Sequence, residues 1–312
     1  MRRGLNKEKG PENAIKVTTY QRLEEFVRAF GEGNLNLLVI LGRPGVQKSS
    51  AVKQIVKDAT WIKGHATPFG IYRKLWESKD RSLVIDDVDD LLASGGGVML
   101  LKCLCSTERV KQVMWHSNAA SLKANGIPRE FETKSRVCII GNEWKSLNRN
   151  VEAVEDRGIV VLFEPKPLEV HLRVAEWFWD QEIFDFIAGH LRFLPQVSMR
   201  LYFHAWELKK SGLDWREVLL ELIFKNKRKC LAAKLLSDSS YSGNDARARA
   251  FEALGGGGRA TFYNYAARLK DSPAAVPKIE LKNTEPPSEF VGACDLELFS
   301  FLKSRLGYME NS

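Results

Sequence analysis

Residues 35–49 read Leu35-Asn36-Leu37-Leu38-Val39-Ile40-Leu41-Gly42-Arg43-Pro44-Gly45-Val46-Gln47-Lys48-Ser49, and this stretch decides the fold. Its first half is an apolar run of strand length, the pattern of a strand covered on both faces of a parallel sheet. A turn containing Gly and Pro follows directly, and then a helix predicted over residues 49–58. Strand, tight turn and helix in immediate succession open a βα unit.

Working outward, the alternation continues. A strand at 60–63, a helix at 68–76 and a strand at 82–85 follow, then a helix around 98–105, a short β-like segment at 113–116, a fourth core strand at 136–141 and a fifth at 158–163. This order predicts an α/β fold: a doubly wound, parallel five-stranded sheet with right-handed crossovers, within a unit spanning 1–165. Ahead of its first strand stand a polar arm, residues 1–15, and a helix at 19–30. From 166 to about 230 apolar residues recur at spacings of three and four, notably through 174–187 and 202–208, which predicts a separate helical unit hinged at Pro165 and Pro167. A third small unit is expected at 231–275, where the stretches 237–244 and 255–258 separate short helical segments. Residues 276–312 read as a Pro-rich extended tail with an amphipathic helix at 296–306.

The 312 residues suit two or three compact units, and 44% hydrophobic with 28% charged residues is a globular balance. No run approaches the roughly 18 apolar residues of a membrane span, and Met1-Arg2-Arg3-Gly4 lacks the apolar stretch of a secretory signal, so a cytosolic protein without a membrane partner is expected. Five cysteines, at 103, 105, 138, 230 and 294, show no zinc spacing and read as reduced and structural; the five histidines form no metal cluster. A net charge of +8 and a pI near 9.2 favour a polyanionic partner, though charge alone is shared by many proteins that bind no nucleic acid.

The turn Gly42-Arg43-Pro44-Gly45-Val46-Gln47-Lys48-Ser49 is close to the phosphate-loop pattern G-x-x-x-x-G-K-[S/T]. In such a loop successive backbone N–H groups and a helix N-terminus face the phosphates of ATP, the lysine reaches the β- and γ-phosphates, and the hydroxyl joins the Mg²⁺ shell. Gly42, Pro44, Gly45, Val46, Gln47, Lys48, Ser49 and Ser50 are therefore the candidate nucleotide-binding residues. Gln47 departs from the pattern, because it stands where the second glycine belongs. If that position needs φ > 0, a side chain there costs on the order of 1 kcal/mol. The second motif, Leu83-Val84-Ile85-Asp86-Asp87, is an apolar strand ending in two carboxylates. At the C-terminal edge of a parallel strand Asp86 faces the ligand crevice and can hold Mg²⁺ through water. An Asp-Asp pair after a strand also suits a helix N-cap or a solvated turn, which is how Asp89 and Asp90 read.

This order of motifs resembles the AAA+ ATPases, over about residues 17–225. The resemblance implies ATP hydrolysis between subunits of a homo-oligomer, with a helical lid after the core. It gives Asp87 the task of polarising the attacking water, usually done by Glu. It makes Asn142, at the end of Val137-Cys138-Ile139-Ile140-Gly141-Asn142, the residue that orients that water; a turn-forming Asn is the alternative. Arg157, in Glu155-Asp156-Arg157-Gly158-Ile159, falls where the family places its arginine finger, with Arg149 as fallback and a surface ion pair as the plainer alternative. Arg200, after Leu194-Pro195, falls where the lid carries a second phosphate sensor.

For the partner, Arg259-Ala260-Thr261-Phe262-Tyr263-Asn264-Tyr265 with Arg268 and Lys270 resembles the recognition helix of a helix-turn-helix, a DNA-binding module; an ordinary amphipathic helix burying Phe262, Tyr265 and Leu269 fits equally, and the two are compatible. The run Lys225-x-Lys227-Arg228-Lys229 is a further phosphate-binding candidate. The insertion between Val113 and Lys134 falls where some AAA+ branches carry a DNA-touching β-hairpin, with Lys123 and Arg129 near its tip. The combined expectation is an AAA+ ATPase acting on DNA in replication, helicase loading or transposition. The alternatives are an ATP-binding assembly switch that hardly hydrolyses and a protein-remodelling ATPase.

Overall fold

The computed structural model describes residues 13–87, 95–115, 122, 126–142, 156–191, 194, 196–224, 226–270 (the side chains of Arg268 and Lys270 excepted) and 277–286. The chain divides between Pro165 and Lys166 into two compact units. In chain order the first contains β1 (Ile15–Val17), α1 (Tyr20–Gly31), β2 (Leu37–Leu41), α2 (Lys48–Ile55), β3 (Ala59–Lys63), α3 (Pro68–Glu77), β4 (Ser82–Asp86), α4 (Gly95–Leu104), β5 (Lys111–Met114), β6 (Glu130–Thr133), β7 (Val137–Gly141) and β8 (Ile159–Phe163).

Six of these strands form one parallel sheet in the order β1-β8-β2-β7-β4-β3. The expected five are there, and the sixth is β1, which starts at the last residue of the stretch read as a polar arm and precedes the first helix. Its three residues pair with β8 from Ile15↔Val161 to Val17↔Phe163. Only Val17 of the three is buried, and three residues, Ile15-Lys16-Val17, are too short a run for their alternation to mark a strand. Chain direction across the sheet reverses at β2: the chain passes to the far edge at β3, walks back through β4 and β7, and crosses β2 to reach β8. Such a switch point opens a crevice at the strands' C-terminal ends.

All five residues of β2 and of β4 are buried, as strands covered on both faces must be. On one face Leu37, Val39, Leu83 and Ile85 pack with Ile71, Tyr72 and Leu75 of α3 and Leu100, Leu101 and Leu104 of α4. Strand alternation sends Leu38 and Ile40 to the opposite face. There Tyr20 of α1 meets Phe163 edge-on at 5.1 Å, and α1 packs on α2. Each fully buried Leu, Ile or Val contributes roughly 1.5–3 kcal/mol. Helix starts are set locally: the Thr67 side chain accepts from Gly70 N at 3.1 Å, with Pro68 opening α3.

The insertion before β7 folds as an antiparallel pair, β5 with β6, from Lys111↔Thr133 to Met114↔Glu130. It packs on α3 through Phe131, whose ring lies 5.2 Å from Tyr72 and 5.4 Å from Trp76. Arg129 lies at the loop end of the pair, one residue beyond Met114↔Glu130, where its carbonyl accepts from Trp115 N at 2.7 Å. Lys123 lies outside the described residues.

The second unit is helical: α5 (Pro167–Val174), α6 (Gln181–His190), α7 (Arg200–Lys210), α8 (Trp215–Ile223), α9 (Lys227–Ser237), α10 (Asn244–Ala253) and α11 (Arg259–Lys270). The helical pattern read through 174–187 is broken here. The Asp180 carboxylate caps α6 by accepting from Ile183 N at 3.1 Å and is held by Lys209 at 2.7 Å. Phe178 and Trp179 are buried inside the break, so the apolar spacing runs on although the helix does not. Leu220 and Phe224 continue into a core with Cys230, Phe251, Phe262 and Leu269 that joins α9, α10 and α11. The turn between the last two is tight: a Cβ on Gly256 would lie 2.5 Å from the Phe251 ring. Part of the expected extended tail is fastened to α6, with Leu281 N donating to Gln181 Oε1 at 2.9 Å. The terminal helix expected at 296–306 lies outside the described residues. Among the described residues no helix is long and apolar enough to cross a membrane.

Candidate functional site

The C-terminal ends of β2, β7 and β4 lie side by side, with Leu41 opposite Gly141 and Asp86 opposite Ile140. The loop leaving β2 is shaped by close approach. A Cβ on Gly42 would lie 2.4 Å from the Phe163 carbonyl oxygen, so only glycine passes there. Gly45 and Gln47 are both left-handed, at φ 77° and 58°. The Tyr20 hydroxyl reaches across from α1 and donates to the Val46 carbonyl at 3.1 Å. Arg43 donates to the Pro165 carbonyl at 3.1 Å, and burial lowers the pKa of its guanidinium against the opposing pull of Tyr20 and Glu164.

Lys48 opens α2 and is 6% exposed. Its ammonium folds into the loop, donating to the carbonyls of Gly42 at 2.6 Å and Arg43 at 2.9 Å, and to Asn142 Oδ1 at 3.2 Å. The amide of Asn142 donates in turn to Asp87 Oδ1 at 3.1 Å. Asp87 is itself left-handed, at φ 55°, with its N–H bonded to the Ile140 carbonyl at 3.0 Å. That kink separates the two carboxylates: Asp87 turns to Asn142, while Asp86 stays buried and accepts from the Ser49 hydroxyl at 2.7 Å. Two non-glycine residues in strained conformations thus stand at one crevice, the setting in which such strain is tolerated for a purpose.

Sequence reasoning missed two lysines here. Lys63 ends the edge strand β3 in register with Asp86, and its ammonium lies 2.9 Å from Asp86 Oδ2. Lys53 of α2 and Lys63 both stand over the Trp61 ring, at 5.5 and 5.2 Å. Burial, then the Lys63 charge, lowers the Lys53 pKa against the pull of Asp86. No sequence signal marks Lys63, since its role follows from the pairing of β3 with β4.

The oxygen set suits Mg²⁺. A hydroxyl and one carboxylate from the protein leave the remaining octahedral positions to water and phosphate, the usual division for this ion. Among the described residues no group of three or more His, Cys, Asp or Glu forms a cage for a metal ion.

The loop residues 42–50, Asp86, Asp87 and Asn142 come together as expected from the sequence; within them Pro44 is exposed and Ser50 buried. Arg157 does not join them. It precedes β8, at the opposite edge of the sheet, and its guanidinium donates to the Lys102 carbonyl at 3.4 Å. A five-residue strand puts roughly 15 Å between the two edges. Arg200 is the first residue of α7 in the second unit, its N–H bonded to Ser198 Oγ at 3.2 Å. On α11, Arg259, Tyr263 and Asn264 are exposed and Thr261 is half-buried. Acidic neighbours from α10 front this helix: Arg259 pairs with Glu252 at 3.7 Å, and the Tyr263 hydroxyl donates to Asp245. Phe262 and Leu269 are buried in the core and Tyr265 packs against it. Asp89, Asp90, Arg149, Pro195, Lys225 and the side chains of Arg268 and Lys270 lie outside the described residues. Compared with protein-family models and with curated proteins, the chain matches none.

Proposed function

We propose that this chain is a phosphate-loop ATPase of the AAA+ type that assembles with copies of itself and acts on DNA. The observation that carries the reading is the convergence at one sheet edge of Lys48, Ser49, Asp86, Asp87 and Asn142, joined by the Ser49–Asp86 bond at 2.7 Å and the Lys48–Asn142–Asp87 chain. The backbone of residues 42–47 and the N-terminus of α2 receive the phosphates, and Lys48 exchanges its carbonyl partners for phosphate oxygens. Ser49 and Asp86 hold Mg²⁺, which when bound neutralises charge on the phosphate oxygens. Asp87 and Asn142 orient a water for attack. To Arg157, exposed just ahead of the N-terminal end of β8, this reading assigns a neighbouring copy's nucleotide. The helices after Pro165 act as the lid, carrying Arg200, and α10 with α11 forms the helix-turn-helix that meets DNA.

The test is binding of a fluorescent ATP analogue in Mg²⁺ by the full chain and by Lys48→Ala. Removing a buried ammonium that donates charge-assisted hydrogen bonds weakens binding at least about a hundredfold. A wild-type chain that retains no nucleotide, or a variant that binds equally well, ends the proposal.

Two features favour a second reading, a nucleotide-binding switch with very slow turnover. Gln47 sets a side chain in the loop, and the short Asp87 side chain is already engaged by Asn142. Phosphate release indistinguishable from buffer, with and without DNA, in a sample that binds ATP selects the switch.

A further inference from the structure

Asp86 is 3% exposed, and each of its carboxylate oxygens has a partner: Oδ1 accepts from Ser49 at 2.7 Å, and Oδ2 faces Lys63 at 2.9 Å. The hydroxyl is a group that a magnesium ion shares with the carboxylate. The ammonium is not, since it is a cation standing on the oxygen through which Asp86 attracts cations. We propose that Lys63 is the internal counter-ion of Asp86 and competes with divalent metal for it, so that the site takes the metal only together with a polyphosphate. This rests on the phosphate-loop reading for the identity of the polyphosphate, whereas the competition at Asp86 stands on geometry alone.

Three arguments support it. Lys63 is placed by the sheet itself, because β3 pairs with β4 in the register that sets Lys63 beside Asp86. The pair is therefore built in, not a chance meeting of surface side chains. Next, among the described residues the charges around the carboxylate are unbalanced: three ammonium groups, Lys48, Lys53 and Lys63, share the crevice with two carboxylates, Asp86 and Asp87. A bare divalent cation adds positive charge to an already positive site, while a metal polyphosphate brings net negative charge and gives the lysines somewhere to go. Finally, Lys63 has an alternative position. Its side chain is 34% exposed and its ammonium already lies 5.2 Å from the centre of the Trp61 ring, so it can leave Asp86 while staying over that ring. Lys53, over the same ring at 5.5 Å, repels it back toward Asp86 and keeps the pair closed.

The experiment is a titration of the full chain with Mn²⁺ alone, read from the electron paramagnetic resonance signal of the free ion. Lys63→Gln, which keeps a hydrogen-bond donor and loses the charge, is expected to bind Mn²⁺ at least about tenfold more tightly than wild type, a gain of about 1.4 kcal/mol. Adding Asp86→Asn to that variant abolishes the gain, and Lys63→Arg leaves Mn²⁺ binding as weak as wild type. Lys53→Gln, which removes the repulsion that holds Lys63 against Asp86, tightens Mn²⁺ binding severalfold and serves as the reporter should Lys63→Gln fail to fold. Mn²⁺ affinity unchanged in Lys63→Gln and Lys53→Gln, or a gain that survives Asp86→Asn, overturns the proposal. Failure of the wild-type chain to bind an ATP analogue removes the nucleotide reading instead, and the Mn²⁺ comparison still decides the counter-ion.

Discussion

Replacing Gln47 with glycine tests the loop more sharply than any deletion of charge. Gln47 sits at φ 58° and ψ 30°, squarely left-handed, with its side chain half-buried at the start of α2. An L-residue in that conformation costs roughly 1–2 kcal/mol. Glycine removes that cost, but it also loosens the unfolded chain, which takes back about 0.4–1 kcal/mol. The net expectation for Gln47→Gly is a first unit between unchanged and about 1.6 kcal/mol more stable; for a unit of this size that is at most about 3–6 °C in Tm. Gln47→Ala separates the backbone from the side chain, since it clears the space yet keeps the left-handed strain. Glycine should therefore melt higher than alanine, while both should bind an ATP analogue more tightly than wild type if the side chain crowds the phosphates. Thermal unfolding followed by circular dichroism, beside a nucleotide titration, reads both effects. A glycine variant that melts below the alanine variant refutes the strain, and tighter binding confined to glycine refutes the crowding.

Other expectations follow from single residues. Arg157→Ala should leave ATP affinity within about twofold and remove turnover, because the residue lies at the sheet edge away from its own loop; full phosphate release by the variant would exclude an intersubunit role. His171 is buried, bonded through Nδ1 to the Tyr202 hydroxyl at 2.7 Å and stacked on Phe184, and burial brings its pKa from 6.5 down to about 4. The folded state thus favours the neutral ring, so its stability is whole above pH 6.5 and falls as pH drops toward 4, by about 3 kcal/mol in all. Urea midpoints of the second unit's helical signal should fall over that window in wild type and stay flatter in His171→Phe; equal slopes would exclude His171 as the source. Arg259→Ala with Lys270→Ala should lower the slope of log affinity for DNA against log salt by about 1.8, at roughly 0.9 per phosphate contact. An unchanged slope points away from α11 as the contact surface.

The parts legible from the sequence share one property: their signal is local. Residues 37–41, 82–86, 137–141 and 159–163 announce themselves as buried parallel strands because each is built on a continuous apolar run of three or more residues between turn residues. The loop from Gly42 to Ser49 is legible for a similar reason, since close backbone approach demands glycine at a defined place. What stayed hidden depends on partners distant in sequence. β1 is a strand only because β8 offers an open edge to three residues with a single buried side chain. The break before α6 is set by Asp180 capping and by Lys209, 29 residues on, while Phe178 and Trp179 maintain the helical spacing across it. Lys63 acquires its place at Asp86 from the order of strands, which no periodicity records.

The ammonium of Lys48 bonds two main-chain carbonyls and one side-chain amide within a closed loop. Anything that draws it out must leave those three acceptors in need of replacement donors, so capture proceeds as a swap, not as an addition. Such a swap exchanges hydrogen bonds for hydrogen bonds, and these weaken steeply when misaligned. The loop should for that reason discriminate among anions by shape more than by charge, passing over sulfate or a lone phosphate in favour of a chain long enough to engage Lys48 while the backbone N–H groups hold the rest.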